Sequence, residues 1–298
     1  MNKILAWLRD TRWTIGFVEN SIEGIIKGER LKINWVECNY KDRWYADPFV
    51  LDVTNSQIIL LVEEFYYPIK RARIARLVID RSSNQIISSK PILTLPTHLS
   101  YPAIIRRDGK VFIYPESGLS GKLMLYQYNP DTDEVTEGKV LINEYVADAT
   151  YTDLFGEDLI FCTVPPGINS NELFVYRKDS NGKYQRSEKI VFNDNIARMA
   201  GDFFTVDRRI YRPAQDCNKS YGNGTVIQEV KRDNGEWTFK EVNRYFSDNP
   251  IYPLGIHTLN MYKGVTVVDA VGYWRPKTAR ITNVSVNAIK SIIGRNNS

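Results

Sequence analysis

The sequence is poor in the residues that staple small folds or bind metals. It contains three cysteines, Cys38, Cys162 and Cys217, in 298 residues. They are odd in number and far apart, which excludes a disulfide framework and a zinc-type spacing and predicts reduced thiols. The two histidines, His98 and His257, form no cluster. No P-loop or dinucleotide glycine motif occurs, and "GLSG" at 118–121 reads as a turn. Long apolar runs are missing too. The opening "MNKILAWLRDTRW" is broken by Arg9 and Asp10, too early for a secretory core, and no stretch nears the ~20 apolar residues of a membrane span. The expected location is therefore the cytoplasm. A strong excess of one charge is also lacking. The net charge of +4 offers no footprint for nucleic acid, although it suits an acidic or phosphate-bearing ligand. No cofactor is expected.

What is present is strand. "QIILLVEEF", "KVFIYPES", "KLMLYQYN", "DLIFCTV", "ELFVYRKD" and "VTVVDAVGY" are short, β-branched or aromatic, and bounded by turns such as "RDGK", "DSNGK" and "RDNGE". Helix signals are nearly confined to the two ends. In the last residues, Val286, Ile289, Ile292 and Ile293 recur at helical spacing with Lys290 and Arg295 opposite. That tail, about 279–298, is expected to pack as a helix under the main body, with a weak membrane or partner contact as its other use.

The strands repeat. "ADPFVLDVTNSQIILLVEE", "SYPAIIRRDGKVFIYPES", "ADATYTDLFGEDLIFCTV", "ARMAGDFFTVDRRIYRPA" and "GIHTLNMYKGVTVVDAV" are each a strand, a polar turn and a second strand. Units start near 46, 100, 147, 197 and 255, a period of about 50 residues with four strands in the middle units. This predicts an all-β, five-bladed β-propeller in one domain over 1–298, the propeller spanning about 30–278. Residues at the starts of the inner strands converge on one mouth. In this register Asp47 aligns with Tyr101, Asp148, the stretch Arg198–Asp202, and His257.

Such a mouth suits sugars, because rings stack on their apolar faces and carboxylates and arginines bind their hydroxyls. Glycosyl transfer needs two carboxyl groups across the scissile bond. Asp47 is the candidate base. Glu116 in "YPES" is the candidate acid, desolvated by its apolar surroundings, and Asp148 is the candidate for tuning either one. Trp44, Tyr45, Tyr101 and Tyr221 are candidate substrate-binding rings. Arg198 and Arg212 are candidates for holding an anionic group, and Asp202, Asp216 and His257 complete the binding set. Plainer readings compete: an Asp-Pro pair opens many turns, and a channel histidine equally well satisfies backbone carbonyls. His98 precedes a unit start and is a candidate for the same mouth. Arg71, Arg73 and Arg76 alternate with apolar residues and are expected on a solvated strand face.

The five-unit pattern with an Asp-Pro at the first inner strand resembles the five-bladed clan of arabinanases, β-xylosidases and invertase-like enzymes. More closely, "WYADPFV", "LVEEF", "SYPAII", "YPES", "ARMAGDFF", "RPAQDC" with "YG", and "HTLN" resemble the N-terminal propeller domain of plant glucosamine inositolphosphorylceramide transferases and its stand-alone bacterial relatives, over about residues 43 to 275. The resemblance implies that Asp47 matches the glycosidase base and Asp148 the modulating aspartate. In arabinanase-like enzymes the catalytic glutamate comes from a later blade. The matching stretch here, "ARMAGDFF", carries Arg198 and Asp202 and no glutamate. An arginine there suits a phosphate leaving group, and the recognised catalytic domain of the plant transferases is a separate one. The expected function is a glycosyl-transferring enzyme of surface-glycan biosynthesis acting on a carbohydrate or a phosphate-activated sugar. The alternatives are a glycoside hydrolase of the arabinanase or β-xylosidase type, and a non-catalytic glycan-binding module.

Overall fold

The computed structural model describes residues 10–273. The expected C-terminal helix lies outside the described residues. The chain opens with strand β1 (Thr11–Val18), a short helix α1 (Ile22–Lys27) and strand β2 (Ile33–Trp35). The helix is bounded by local chemistry: Ser21 accepts from the Gly24 N–H at its start, and Gly28 ends it in a left-handed conformation.

Four sheets follow in chain order. Blade one is β3 (Arg43–Val53), β4 (Gln57–Tyr66), β5 (Arg71–Asp80) and β6 (Ile86–Leu93). Blade two is β7 (Ile104–Arg107), β8 (Lys110–Ile113) and β9 (Leu123–Asn129), with β10 (Glu134–Val135) and β11 (Lys139–Ile142) both pairing with β9. Blade three is β12 (Ala147–Thr152), β13 (Leu159–Thr163), β14 (Glu172–Lys178) and β15 (Tyr184–Val191). Blade four is β16 (Phe204–Val206), β17 (Arg209–Asp216), β18 (Gly224–Asp233) and β19 (Glu236–Phe246). The final hairpin, β20 (Leu259–Tyr262) and β21 (Val265–Tyr273), supplies only the two inner strands of blade five. Its outer strands are β1 and β2, giving the order β2-β1-β21-β20.

The molecule is a five-bladed β-propeller. The ring closes where β1 pairs antiparallel with β21 from Thr11↔Tyr273 to Val18↔Thr266. Strand β1 lies N-terminal to the boundary near 30 read from the sequence. Joining the first strand to the last hairpin covers two edges that would otherwise be open. Tight hairpins link inner to second strands in blades two, four and five. Their turn residues have positive φ: Asp108–Gly109, Asp207–Arg208 and Lys263–Gly264. Two consecutive left-handed residues give the turn whose twist matches that of the strands it joins. Arg73 and Arg76 are corrected from a solvated face. They are largely buried and paired, Arg73 with Glu64 at 2.5 Å and Arg76 with Asp133 of blade two at 3.4 Å.

Candidate functional site in the channel mouth

The five inner strands share one irregularity. In each blade a residue near the strand start pairs with the second strand, as Ala46↔Glu63, Ser100↔Glu116, Ala147↔Thr163, Met199↔Ala214 and Gly255↔Val271. Pairing then slips before it resumes, by one residue in four blades, as at Phe49↔Leu61 and Thr150↔Phe161, and by two in blade four, at Phe204↔Tyr211. A bulge of this kind re-aims a side chain. The residue after each pairing position is Asp47, Tyr101, Asp148, Ala200 and Ile256. The first three have φ of 48°, 45° and 46°. Three non-glycine residues held in the left-handed region at equivalent positions mark a strained ring around the channel. His257 falls one residue beyond the equivalent position, and in blade four that position is Ala200.

The bulges bring buried polar groups together. Asp47 Oδ2 accepts the Tyr101 N–H at 2.9 Å, and its Oδ1 lies 3.2 Å from His257 Nε2. His257 Nδ1 lies 2.7 Å from Asp269 Oδ1. Asp269 also accepts the backbone N–H groups of Asp47, His257 and Thr258. The result is an Asp47–His257–Asp269 triad spanning blades five and one. On the other side, Asp148 Oδ2 accepts from Arg198 Nε at 2.5 Å and from Gln215 Nε2 at 2.6 Å. Arg198 Nη1 donates to Asn169, and its Nη2 lies 3.7 Å from Glu116 Oε2. Glu116 accepts from the Asp148 N–H at 3.0 Å and from the Tyr145 hydroxyl at 3.3 Å. Asp47, Glu116, Asp148, Arg198 and His257 are all 9% exposed or less, whereas Tyr221 is 44% exposed. Tyr221 lies over the Arg198 guanidinium (4.7 Å) and edge-on to His257, whose other neighbour is the Trp13 ring at 4.0 Å.

Residues 34–251 match the family described as glucosamine inositolphosphorylceramide transferase 1, N-terminal. The chain belongs to this family. The rice (Oryza sativa subsp. japonica) glucosamine inositolphosphorylceramide transferase 1 is 28% identical over 221 residues, 69% of this chain and 28% of the rice protein. The chain thus spans little more than a quarter of the curated relative. Among solved structures, an α-L-arabinofuranosidase from Lactobacillus brevis superposes with a TM-score of 0.54 at 14% identity, covering 75% of this chain and 81% of that one. A thermostable family-43 glycoside hydrolase gives 0.53 at 13% identity, covering 70% and 81%. At these identities the likeness is one of fold.

Not every residue singled out in this family member reaches the mouth. Asp47, Glu116, Asp148, Arg198, Tyr221 and His257 do. Tyr101 contributes its backbone N–H, while its ring is buried edge-to-face against Phe49 and its hydroxyl bonds Thr150. Tyr45 is packed into the core between blades five and one. Trp44 stacks on Phe65 (4.9 Å, 8°) and lines the neighbouring cleft that Trp13 also lines. Arg212 is fully buried, donates to the carbonyls of Ile196 and Ala197, and lies over the rings of Phe192 and Phe239. Its place is structural. Asp216 pairs with Arg244 at 2.8 Å and holds the turn at Asn218. Asp202 donates its backbone N–H to Asn260, and the charge of Arg106 partly opposes the burial of its carboxyl. His98 reaches the mouth: its Nε2 lies 3.1 Å from Glu63 Oε1.

Glu63, Asp269, Gln215, Tyr145, Asn169 and Trp13 were not read from the sequence. Asp269 carried a signal: an acid in the middle of "VTVVDAV" must be paired if it is buried. Glu63 was hidden beside Glu64, which faces the other way and pairs with Arg43 and Arg73. The ligand atoms of Asp47, His257 and Asp269 lie within 4.8 Å of one another, a spacing a metal ion would accept. Asp269 already binds His257 Nδ1 and three backbone N–H groups, and Asp47 accepts a fourth from Tyr101.

Burial dominates the titration of the site. It pushes Glu116 up to about 8, helped by Asp148 and opposed by Arg198, and it pushes Glu63 up to about 8. Asp202 rises to about 7 for the same reason. Asp47 is raised by burial against the pull of His257. For His257, burial opposes the charged ring, but Asp269 and Asp47 outweigh it and its pKa is raised. The consequence for stability has a definite sign. An unfolded chain loses carboxyl protons near pH 4–5 (about the ordinary range), while the fold keeps these until about 7–8. The folded state binds more protons in that window, so stability falls as pH rises through it. His98, lowered by burial, acts in the opposite direction just below its ordinary value. The melting temperature is expected to drop between about pH 5 and pH 8, and Glu116→Gln to flatten the drop. A rise over that interval in thermal denaturation would contradict the assignment.

Proposed function

We propose that the channel mouth is the active site of a carbohydrate-active enzyme that transfers a glycosyl group, with Asp47 as base and Glu116 as acid. The observation that carries this reading is the pair of buried carboxyl groups on the two sides of the mouth, each with a backbone N–H aimed at it. Glu116 is held protonated at neutral pH by burial beside Asp148, as a proton donor to a leaving oxygen must be. Asp47, though raised by burial, receives the Tyr101 N–H and faces His257 Nε2, whose charge pulls toward its ionised form. Asp148, fixed between Arg198 and Gln215, keeps Glu116 oriented through its backbone N–H. Tyr221 and Trp13 supply rings at the rim for a sugar face. The fold shared with glycoside hydrolases and the membership in a transferase-named family agree with this chemistry.

Charge balance selects the donor. With Glu63 and Glu116 protonated, Asp47 (the ionised base), Asp148 and Asp269 face Arg198 and His257, and Arg198 is already bound to Asp148 and Asn169. A dianionic phosphate would meet more negative than positive charge there. The donor is therefore a neutral glycoside rather than a phosphate-activated sugar, and the acceptor a sugar hydroxyl or water.

The test is a panel of aryl glycosides and glycosyl phosphates, with and without oligosaccharide acceptors. Turnover of a glycoside with activity falling above about pH 8, where Glu116 loses its proton, is the expected result. Saturable sugar binding with no turnover selects the binding-module reading, and preference for a glycosyl phosphate overturns the donor assignment.

A further inference from the structure

The rings around the mouth are unevenly placed. On the side of blades two and three, Tyr101 and Tyr114 are 1% exposed, and Tyr145 directs its hydroxyl to Glu116. On the side of blades five and one, a cleft of about 240 Å³ adjoins the mouth, lined by Trp13, Trp44, Tyr252, Thr14, Arg12 and Arg43. That volume is below the ~300–1,000 Å³ of sites for drug-sized ligands and suits a single sugar ring. Trp13 stands between the two spaces. It pairs with Val271, which bridges Gly255 at the start of blade five's inner strand, and its ring lies 4.0 Å from His257. Trp44 lines the cleft from blade one; its ring is half-buried, with Phe65 stacked on one face at 4.9 Å. The cations of the cleft are already engaged. Arg43 donates to Asp42 and Glu64, and its guanidinium lies over the rings of Tyr40 and Tyr66. Arg12 Nη2 donates to the Lys41 carbonyl, and its guanidinium lies over the Tyr67 ring. Indole rings beside engaged cations favour a neutral sugar face over an anion.

We propose that this cleft is the acceptor subsite: it holds a neutral sugar ring whose hydroxyl reaches Asp47 past Trp13. The inference rests on the roles given to Asp47 and Glu116, and it narrows the acceptor from a sugar hydroxyl or water to a sugar. The position of the cleft carries it. Asp47 and His257 belong to blades one and five, the blades that form the cleft, while Glu116 and Asp148 stand across the mouth in blades two and three. The hydroxyl to be deprotonated arrives on the base side, and the leaving group departs on the acid side. In the transfer the acceptor O–H bond breaks and its proton passes to Asp47. The acceptor oxygen bonds the donor's anomeric carbon as the bond from that carbon to the leaving oxygen breaks. The leaving oxygen takes the Glu116 proton. Asp47 then loses a proton to solvent and Glu116 regains one, so the cycle closes with no other reactant.

Calorimetric titration of the full chain with neutral pentose and hexose monosaccharides, and with their disaccharides, tests this without turnover. Disaccharides are expected to bind more tightly than their monosaccharides. Trp44→Ala is expected to cut that advantage roughly 2–10-fold, the value of one aromatic contact, and Trp44→Phe to keep most of it. Tyr252→Ala serves if Trp44→Ala does not fold. No disaccharide advantage in the wild type, or equal losses for monosaccharide and disaccharide in the variants, overturns the proposal. With the glycoside panel, added disaccharide is expected to divert product from hydrolysis to transfer, and Trp44→Ala to lower the ratio of transfer to hydrolysis. Hydrolysis without transfer at any acceptor concentration overturns the acceptor subsite and leaves the enzymatic reading standing. A Trp44-dependent disaccharide advantage in a protein without turnover supports the sugar site in the cleft and sinks the enzymatic reading alone.

Discussion

Asp47→Asn is expected to lower glycoside turnover by about 10²–10⁴-fold while leaving the thermal transition near that of the wild type. That loss corresponds to roughly 3–5 kcal/mol of transition-state stabilisation. The asparagine keeps an oxygen for the Tyr101 N–H, now at 2.9 Å from Asp47 Oδ2. Its NH₂ can face His257 Nε2 once the ring donates through Nδ1 to Asp269, 2.7 Å away. Shape and hydrogen bonding survive, so the variant isolates the lost base. Initial rates on the most reactive glycoside of the panel, beside a melting curve, decide the matter. Undiminished activity would remove Asp47 from the chemistry and leave Glu63 or Asp148 to be tested in its place.

The largest stability effect is expected from Arg198→Ala. The guanidinium is the cation on which the Asp148 side of the mouth is built: it donates to Asp148 and Asn169, approaches Glu116, and sits under Tyr221. Asp148 is 2% exposed. Without Arg198 its carboxylate would keep Gln215 as its side-chain donor, an incompletely compensated buried charge. Breaking a buried pair from one side costs about 3–5 kcal/mol, or roughly 10 °C in a chain of this size. Adding Asp148→Asn to Arg198→Ala is expected to recover part of that loss, because the stranded charge goes with its partner. Arg198→Lys is expected to recover less than the double variant, since a point cation cannot serve Asp148 and Asn169 together. Equal melting temperatures for wild type and Arg198→Ala would mean that the pair is solvated and the mouth more open than the structure shows.

The legible and illegible parts of this protein divide along a physical line. The recurrence of strand, turn and strand at a fixed period announced the blades, because alternation and turn chemistry are local properties. Asp47 and Asp148 were readable because both stand at a unit start, and Glu116 because "YPES" follows a strong strand. Which of two adjacent residues faces the channel was not readable. Strand side chains alternate, and one bulge exchanges the faces. Hence Tyr45 went to the core while Asp47 points at the mouth, and Glu63 faces the channel while Glu64 is locked to Arg43 and Arg73. In "RPAQD", Gln215 holds Asp148, whereas Arg212, three residues earlier, lies on the other face between two phenylalanine rings.

Ring closure was the other decision left to tertiary structure. Trp13 lies far in sequence from any unit start, yet β1 pairs with β21 and sets its ring against His257. Asp269 binds the Asp47 N–H across 222 residues, and Tyr245 and Asn243 of blade four reach the carbonyl of Ile25 in α1. The sequence by itself determined five β units, their starts and the kinds of side chain offered there, since these follow from propensity and period. The tertiary structure alone decided which of those side chains meet, how their charges are shared and which acid keeps its proton. Burial and the convergence of five blades on one axis set those outcomes, and neither is a property of any single segment.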